Sequence, residues 1–212
     1  MAKSLIPFFE ELKKQYGQPS GQWALWCKRP KNWAEREQVA IEAILTQRAN
    51  WLNVQQAVEN LEKAGCLLLR DIVEMSPGQL ERLIRPSGFY RQKSVRLLTL
   101  AKVIEKDSGG LKRLKSLPVG KVRQQLLSIS GIGPETADDI LLYALDKAVF
   151  VVDEYTRRWA KLFGFPGESS YSKLQEFFQE RLPQDYRVYQ DFHALIVIDG
   201  KARRGKKCLS EA

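Results

Sequence analysis

SGIGPETADD, Ser130–Asp139, interrupts a helical pattern with two glycines one residue apart and restarts it at once. Before the break, Val122, Leu126 and Ile129 fall at helical spacing. After it, Ala137, Ile140, Leu141, Ala144 and Leu145 follow the i, i+3, i+4, i+7, i+8 pattern. Pro134 suits a first helical turn, where its missing N–H has no partner to lose, and Glu135 suits the positive end of the helix dipole. The stretch therefore predicts helix, tight hairpin, helix. Gly131 and Gly133 permit unusual backbone angles and bare N–H groups beside a helix start, with Ile132 tucked into the core. Such a start attracts anions, and a DNA phosphate held there fixes position without reading sequence. A C-cap glycine followed by a new helix explains the same residues, so the hairpin alone does not decide between them.

Working outward, apolar residues keep helical spacing nearly everywhere. Ala40, Ile41, Ile44 and Leu45 form one stripe, and Val95, Leu98 and Val103 another. Only Phe150–Val152 reads as extended, too short to imply a sheet. Gly and Pro punctuation leaves short connections, so the expected class is all-α. A chain of 212 residues with 44% hydrophobic content can bury a sizeable core. Thirty-four Lys and Arg stand against 25 Asp and Glu, a net charge of +9. With a pI near 9.5, a polyanionic partner, nucleic acid first, is favoured over a merely basic surface. Cys27, Cys66 and Cys208 are odd in number and far apart, which fits a reducing compartment and supplies neither a four-thiolate cluster nor a zinc-finger spacing. MAKSLIPFFEELKK has too short an apolar run for a signal peptide, and no stretch reaches the roughly 18 apolar residues of a membrane span. The expectation is a cytoplasmic monomer with no membrane partner and no metal.

In AVFVVDEYTRR, Asp153 stands 20 residues after Gly133, just past the extended segment and just before a helix with Arg157 and Arg158. A hairpin followed at this distance by an extended segment ending in aspartate resembles the helix-hairpin-helix DNA glycosylase superfamily, the endonuclease III-like enzymes. The likeness covers most of the chain. AILTQRANWLNVQQAVENL, Ala43–Leu61, is similar to the family's early helix and the turn after it. PSGFYRQKS, Pro86–Ser94, is similar to its G-x-Y-x-x-K-A segment. FHALIVIDGK, Phe192–Lys201, resembles the helix that precedes the cluster cysteines of endonuclease III; only Cys208 follows, so the chain looks like a branch without the iron–sulfur cluster.

The resemblance implies two helical lobes with the active cleft between them. Residues 30–147 would make the bundle lobe that ends in the hairpin, and residues 1–29 with 148–212 the second. It implies that Asp153 supports a sugar of oxocarbenium character and delivers water; an N-cap for EYTRRW is the competing and compatible reading. Gln47 would fill the space left by a flipped base and Phe89 would wedge the duplex. Gly131, Gly133, Glu135, Thr136 and Arg157 would hold DNA phosphates. Related hairpins bridge a phosphate through a monovalent cation, on which this sequence is silent. Family members that also cut the backbone use a lysine in the hairpin's second helix as nucleophile. Glu135 stands there instead, so base removal without strand cutting is expected, with Lys93 and Lys201 as the remaining amines.

Trp23, Trp26, Trp33 and Trp51 all fall in the first quarter of the chain. Aromatic faces sandwich a flipped base and favour a cationic ring. Trp26, Trp33, Trp51 and Lys201 are therefore expected in a base pocket, against the alternative that the tryptophans pack the lobe interface. An N-alkylated purine such as 3-methyladenine fits, and the chain most resembles the third type of 3-methyladenine DNA glycosylase, with Arg48 where that branch is expected to carry Asn. His193, on an apolar helix, reads as a satisfied buried imidazole. Removal of oxidised pyrimidines or mismatched bases by the same scaffold, and a DNA-binding module without activity, are the alternatives.

Overall fold

The computed structural model describes residues 4–165 and 167–210, with side chains through residue 203. Cys208 and the end of the basic run after Arg203 lie outside the described side chains. The fold is all-α, and no strand occurs among the described residues. The chain divides into two compact units, Met1–Lys28 with Ala148–Ala212, and Arg29–Lys147.

In the unit Arg29–Lys147, helix Trp33–Leu45 starts at Asn32. The Asn32 side chain accepts the Glu35 N–H at 2.9 Å, and the Glu35 carboxylate accepts the Asn32 N–H at 2.8 Å, so two otherwise orphaned donors are satisfied. Ala40, Ile41, Ile44 and Leu45 are fully buried, and so are Ala137, Ile140, Leu141, Ala144 and Leu145. The stripe expected on helix Tyr90–Lys102 is corrected. Val95 is 60% exposed, while the buried face is Lys93, Ser94, Leu97, Leu100 and Ala101. A lysine and a serine begin that face, so apolar spacing pointed to the wrong side of the helix.

Helices Val119–Leu127 and Pro134–Asp139 form the hairpin. Fully buried Asp138 accepts from Arg123 Nε at 2.7 Å and Nη2 at 3.0 Å, a bidentate pair that ties the two helices together. A second charge cluster closes the unit near its C-terminal end. Arg36 Nη1 donates to Ala144 O at 2.6 Å, and its Nη2 lies 2.6 Å from Asp146 Oδ2, which Lys115 also reaches. Burial alone would raise the Asp146 carboxyl pKa, but the Arg36 and Lys115 bonds and charges outweigh it and hold it below the ordinary aspartate value. Its folded-state pKa being depressed, Asp146 contributes stability above the unfolded value, and that contribution is lost as pH falls through the folded one. Asp146→Asn tolerates the left-handed backbone there (φ 52). It is expected to be about 2 kcal/mol less stable at neutral pH, with a shallower acid-side fall in unfolding midpoint when wild type and variant are melted side by side.

The unit Met1–Lys28 with Ala148–Ala212 has an aromatic core. Phe150 stacks on Phe178 at 4.3 Å, and Trp159 meets Phe192 edge-on at 5.4 Å. Phe150, Val151 and Val152 lie outside any helix and are buried without a strand partner. Side chains of helix Tyr171–Gln179 take the partner's place: Gln179 Oε1 accepts the Phe150 N–H at 3.0 Å, and Gln175 Nε2 donates to Phe150 O at 2.6 Å. This satisfies buried backbone that would otherwise be orphaned, and it fixes the residue that follows, Asp153.

Candidate active site

Asp153 caps helix Glu154–Leu162, its Oδ1 accepting the Thr156 N–H at 2.7 Å. The capping reading is therefore correct as local structure. It leaves the second oxygen available: Oδ2 lies 3.7 Å from His193 Nε2, and 18% of the Asp153 side chain is open to solvent. Burial alone would raise the carboxyl pKa, but His193 and the Thr156 N–H outweigh it, and the group is held below the usual carboxylate value. A carboxylate kept ionised in a largely dry setting is suited to stabilising positive charge that develops beside it.

Around Asp153, long helix Tyr186–Ser210 contributes His193 and Lys201. The His193 ring is 3% exposed and meets Trp23 edge-on at 5.6 Å, and Trp23 in turn meets Trp26 edge-on at 5.6 Å. Lys201 Nζ donates to Gln22 Oε1 at 2.5 Å. Loss of water around the ammonium lowers its pKa, and the Asp153 charge partly opposes that shift, so Lys201 stands in the field of the candidate carboxylate. His193 is buried as the sequence suggests, yet it faces Asp153, a contact across 40 residues of sequence that no local pattern reports. Trp26 is 4% exposed and packed against Trp23, so it lies inside the wall rather than on an open stacking face. Trp33 and Trp51 belong to the other unit. Trp33 is 40% exposed with the Arg36 guanidinium 5.5 Å from its ring, and Trp51 opens helix Trp51–Lys63. Arg157 turns back on its own unit, donating to Ser169 O at 2.6 Å, which engages the guanidinium expected at a phosphate.

The hairpin exposes Ser130, Gly131 and Gly133 and buries Ile132 to 4%. Only Gly131 needs glycine for its backbone, with φ at +84; Gly133 is extended at φ −90, which any residue adopts. Glu135 is exposed in the first turn of helix Pro134–Asp139. Thr136 is 7% exposed and its Oγ1 accepts from Gln47 Nε2 at 2.9 Å, so this hydroxyl serves the protein interior rather than an exposed phosphate site. The same Gln47 nitrogen donates to Gly131 O at 3.2 Å, and Gln47 Oε1 accepts from Arg96 Nη1 at 2.7 Å. Gln47 is thus engaged at both ends of its amide. Phe89 is 54% exposed and holds a left-handed conformation, φ 47, just before helix Tyr90–Lys102. Such strain in a non-glycine residue costs about 1 kcal/mol or more and is retained where surrounding structure enforces it. Lys93 pins the turn two residues earlier, at Ser87. It is fully buried and donates to Leu45 O and Ser87 O, each at 2.7 Å, so it is not an accessible amine. Burial and the nearby Arg96 charge bring its pKa down to about 8.

An all-α chain with such a hairpin, and a capping aspartate beyond it, has the arrangement that the resemblance to the helix-hairpin-helix superfamily implied. Residues 41–184 match the HhH-GPD superfamily of base excision DNA repair proteins. Over 187 residues the chain is 41% identical to a candidate DNA repair glycosylase of Methanocaldococcus jannaschii, with 85% of each chain covered. It is 26% identical over 158 residues to endonuclease III of Thermotoga maritima, covering 74% of this chain and 70% of the relative. Among solved structures, the H. pylori 3-methyladenine DNA glycosylase bound to 1,N6-ethenoadenine aligns with a TM-score of 0.79 at 28% identity, over 94% of this chain and 98% of that one. An endonuclease III–DNA complex aligns at 0.69 and 20% identity, over 91% and 82% of the two chains, a likeness of fold. The chain belongs to the HhH-GPD superfamily, a family of base excision DNA glycosylases. No helix among the described residues is long and apolar enough to cross a membrane.

Proposed function

We propose that the chain is a monofunctional DNA glycosylase that acts as a monomer, flips alkylated purines such as 3-methyladenine out of duplex DNA and removes them by hydrolysis. The observation that carries this reading is Asp153: a carboxylate held ionised, one oxygen fixed by the helix it caps and the other directed toward His193. In the reaction the C1′–N bond breaks and its electron pair goes to the alkylated ring, neutralising the ring's positive charge. Asp153 stabilises the positive charge left on the sugar. Water adds to C1′, and its proton passes to the carboxylate.

The alkylpurine assignment is supported by the likeness to the H. pylori enzyme. The absence of strand cutting rests on Glu135 at the lyase lysine's place, and on Lys93 being buried with both carbonyl bonds made. A reaction carried out without an iron–sulfur cluster is part of this proposal, supported by the three cysteines of the sequence, fewer than the four thiolates such a cluster takes. The test is a duplex panel carrying 3-methyladenine, 1,N6-ethenoadenine, 7-methylguanine, thymine glycol and a G·T mismatch, run with borohydride. Alkylated purine release without a trapped covalent complex is the expected result. Release of thymine glycol alone, or a borohydride adduct, overturns it, and no release from any duplex favours a binding module.

A further inference from the structure

Helix Tyr90–Lys102 carries two cations three residues apart, hence neighbours on its surface. Lys93 joins the end of helix Trp33–Leu45, through Leu45 O, to the turn before Phe89, through Ser87 O. Arg96 reaches the other way. Its Nη1 holds Gln47 Oε1, and Gln47 Nε2 then donates to the hairpin at Gly131 O and Thr136 Oγ1. The Arg96 stem runs directly beneath Gly131: a Cβ built there would sit 2.1 Å from Nε and 2.8 Å from both Cδ and Cζ. The space that glycine leaves open at 131 is thus already filled from inside the protein, by a side chain 35 residues upstream.

Two cations therefore connect the Gln47 turn, the Phe89 turn and the hairpin, all within the unit Arg29–Lys147. The bonds that Lys93 and Arg96 donate are charge-assisted and stronger than neutral ones, while those from Gln47 to the hairpin are neutral. We propose that Arg96 is a positioning residue that clamps Gln47 against the hairpin, so that these three loops move as one rigid DNA-facing surface; this rests on the reading of the chain as a DNA glycosylase. Arg96 acts through Gln47 and does not itself touch DNA. On this view a hairpin seated on a phosphate sets the position of Gln47, and through the Lys93 bonds that of Phe89, without any loop rearranging.

The test is a double-mutant cycle on Arg96→Met and Gln47→Ala. Methionine keeps a flexible stem beneath Gly131 and removes the guanidinium. The first readout needs no DNA: hydrogen exchange at the Ile132 amide, which donates to Ile129 O at 3.0 Å within the hairpin. Each single variant is expected to speed that exchange about tenfold, and the double variant no further, since both remove one clamp. The second readout is binding to a duplex with a tetrahydrofuran abasic analogue opposite 2-aminopurine. Each variant is expected to weaken it about tenfold while binding to undamaged duplex changes less than about twofold.

Unchanged exchange in either single variant, or effects that multiply in the double, overturns the proposal. An equal loss on undamaged duplex also overturns it, by making Arg96 a direct phosphate contact. If Arg96→Met does not fold, Gln47→Ala alone decides, because unchanged exchange there excludes the clamp and faster exchange supports it. A wild-type protein with no preference for the abasic duplex sinks the glycosylase reading instead, and the exchange result still stands by itself.

Discussion

Asp153→Asn is expected to slow base release from a 3-methyladenine duplex by about a thousandfold in single-turnover assays, while duplex affinity and unfolding midpoint stay near wild type. The substitution is chosen for what it keeps. Asparagine caps helices as well as aspartate does, so the Thr156 N–H retains its acceptor and helix Glu154–Leu162 its start. It removes the charge alone. Alanine would remove cap and charge together and confound the two.

A pH profile adds a second arm. The carboxylate works only when ionised, and its pKa is held below the ordinary value, so wild-type rates should stay level from neutral pH down to about pH 5. His193→Ala takes away one of the groups that oppose the effect of burial on the Asp153 carboxyl. The acid limb should then move to higher pH, while a purely structural role for His193 would lower the rate without moving the limb. Wild-type base release by Asp153→Asn would show that the aspartate is a helix cap and nothing more.

Lys93→Met is expected to be strongly destabilising, by about 3 kcal/mol in denaturant titration at an unchanged slope. Methionine fills a similar volume, so cavity formation is minor. The loss comes from Leu45 O and Ser87 O, each left without the donor it has at 2.7 Å. The pH dependence identifies the cause. Lys93 titrates near 8 in the folded chain, below an unfolded lysine at about 10.4, so between those values the unfolded chain binds more protons. Wild-type stability should therefore gain a rising component through that window, and Lys93→Met should lack it. The same variant should loosen the turn before Phe89, which Lys93 holds at Ser87 O. Equal stability and equal pH slope in the two proteins would show the buried amine to be incidental.

Much of the architecture was legible in the order of residues. Helical spacing at Ala40–Leu45 and Ala137–Leu145, the proline and glutamate after the hairpin, and the short non-helical run at Phe150 each reflect local chemistry, which sequence records directly. The candidate site was legible only in part. Asp153 stands out because its neighbours announce a helix start. His193, Arg96 and Lys93 do not, because a buried cation or imidazole is defined by partners 40 to 49 residues away. One hint was present. Lys93 continues the spacing of Leu97, Leu100 and Ala101, and a charged residue inside an apolar stripe signals a buried bond. Trp26 misled for the same reason: proximity in the first quarter of the chain said nothing of burial, and its ring is packed inside against Trp23.

At SGIGPETADD the two sources of information separate cleanly. The residues by themselves determined that a helix stops, turns at Gly131 and restarts at Pro134, since glycine's freedom and proline's fixed φ are properties of single residues. They also determined that no lysine follows the turn. Tertiary structure alone supplied the second reason that position 131 has no side chain, beside its backbone at φ +84: the Arg96 side chain fills the place a Cβ would take, and Gln47 is tied to the Gly131 carbonyl. Contacts of that kind depend on which distant helices pack together, and packing is a property of the whole folded chain.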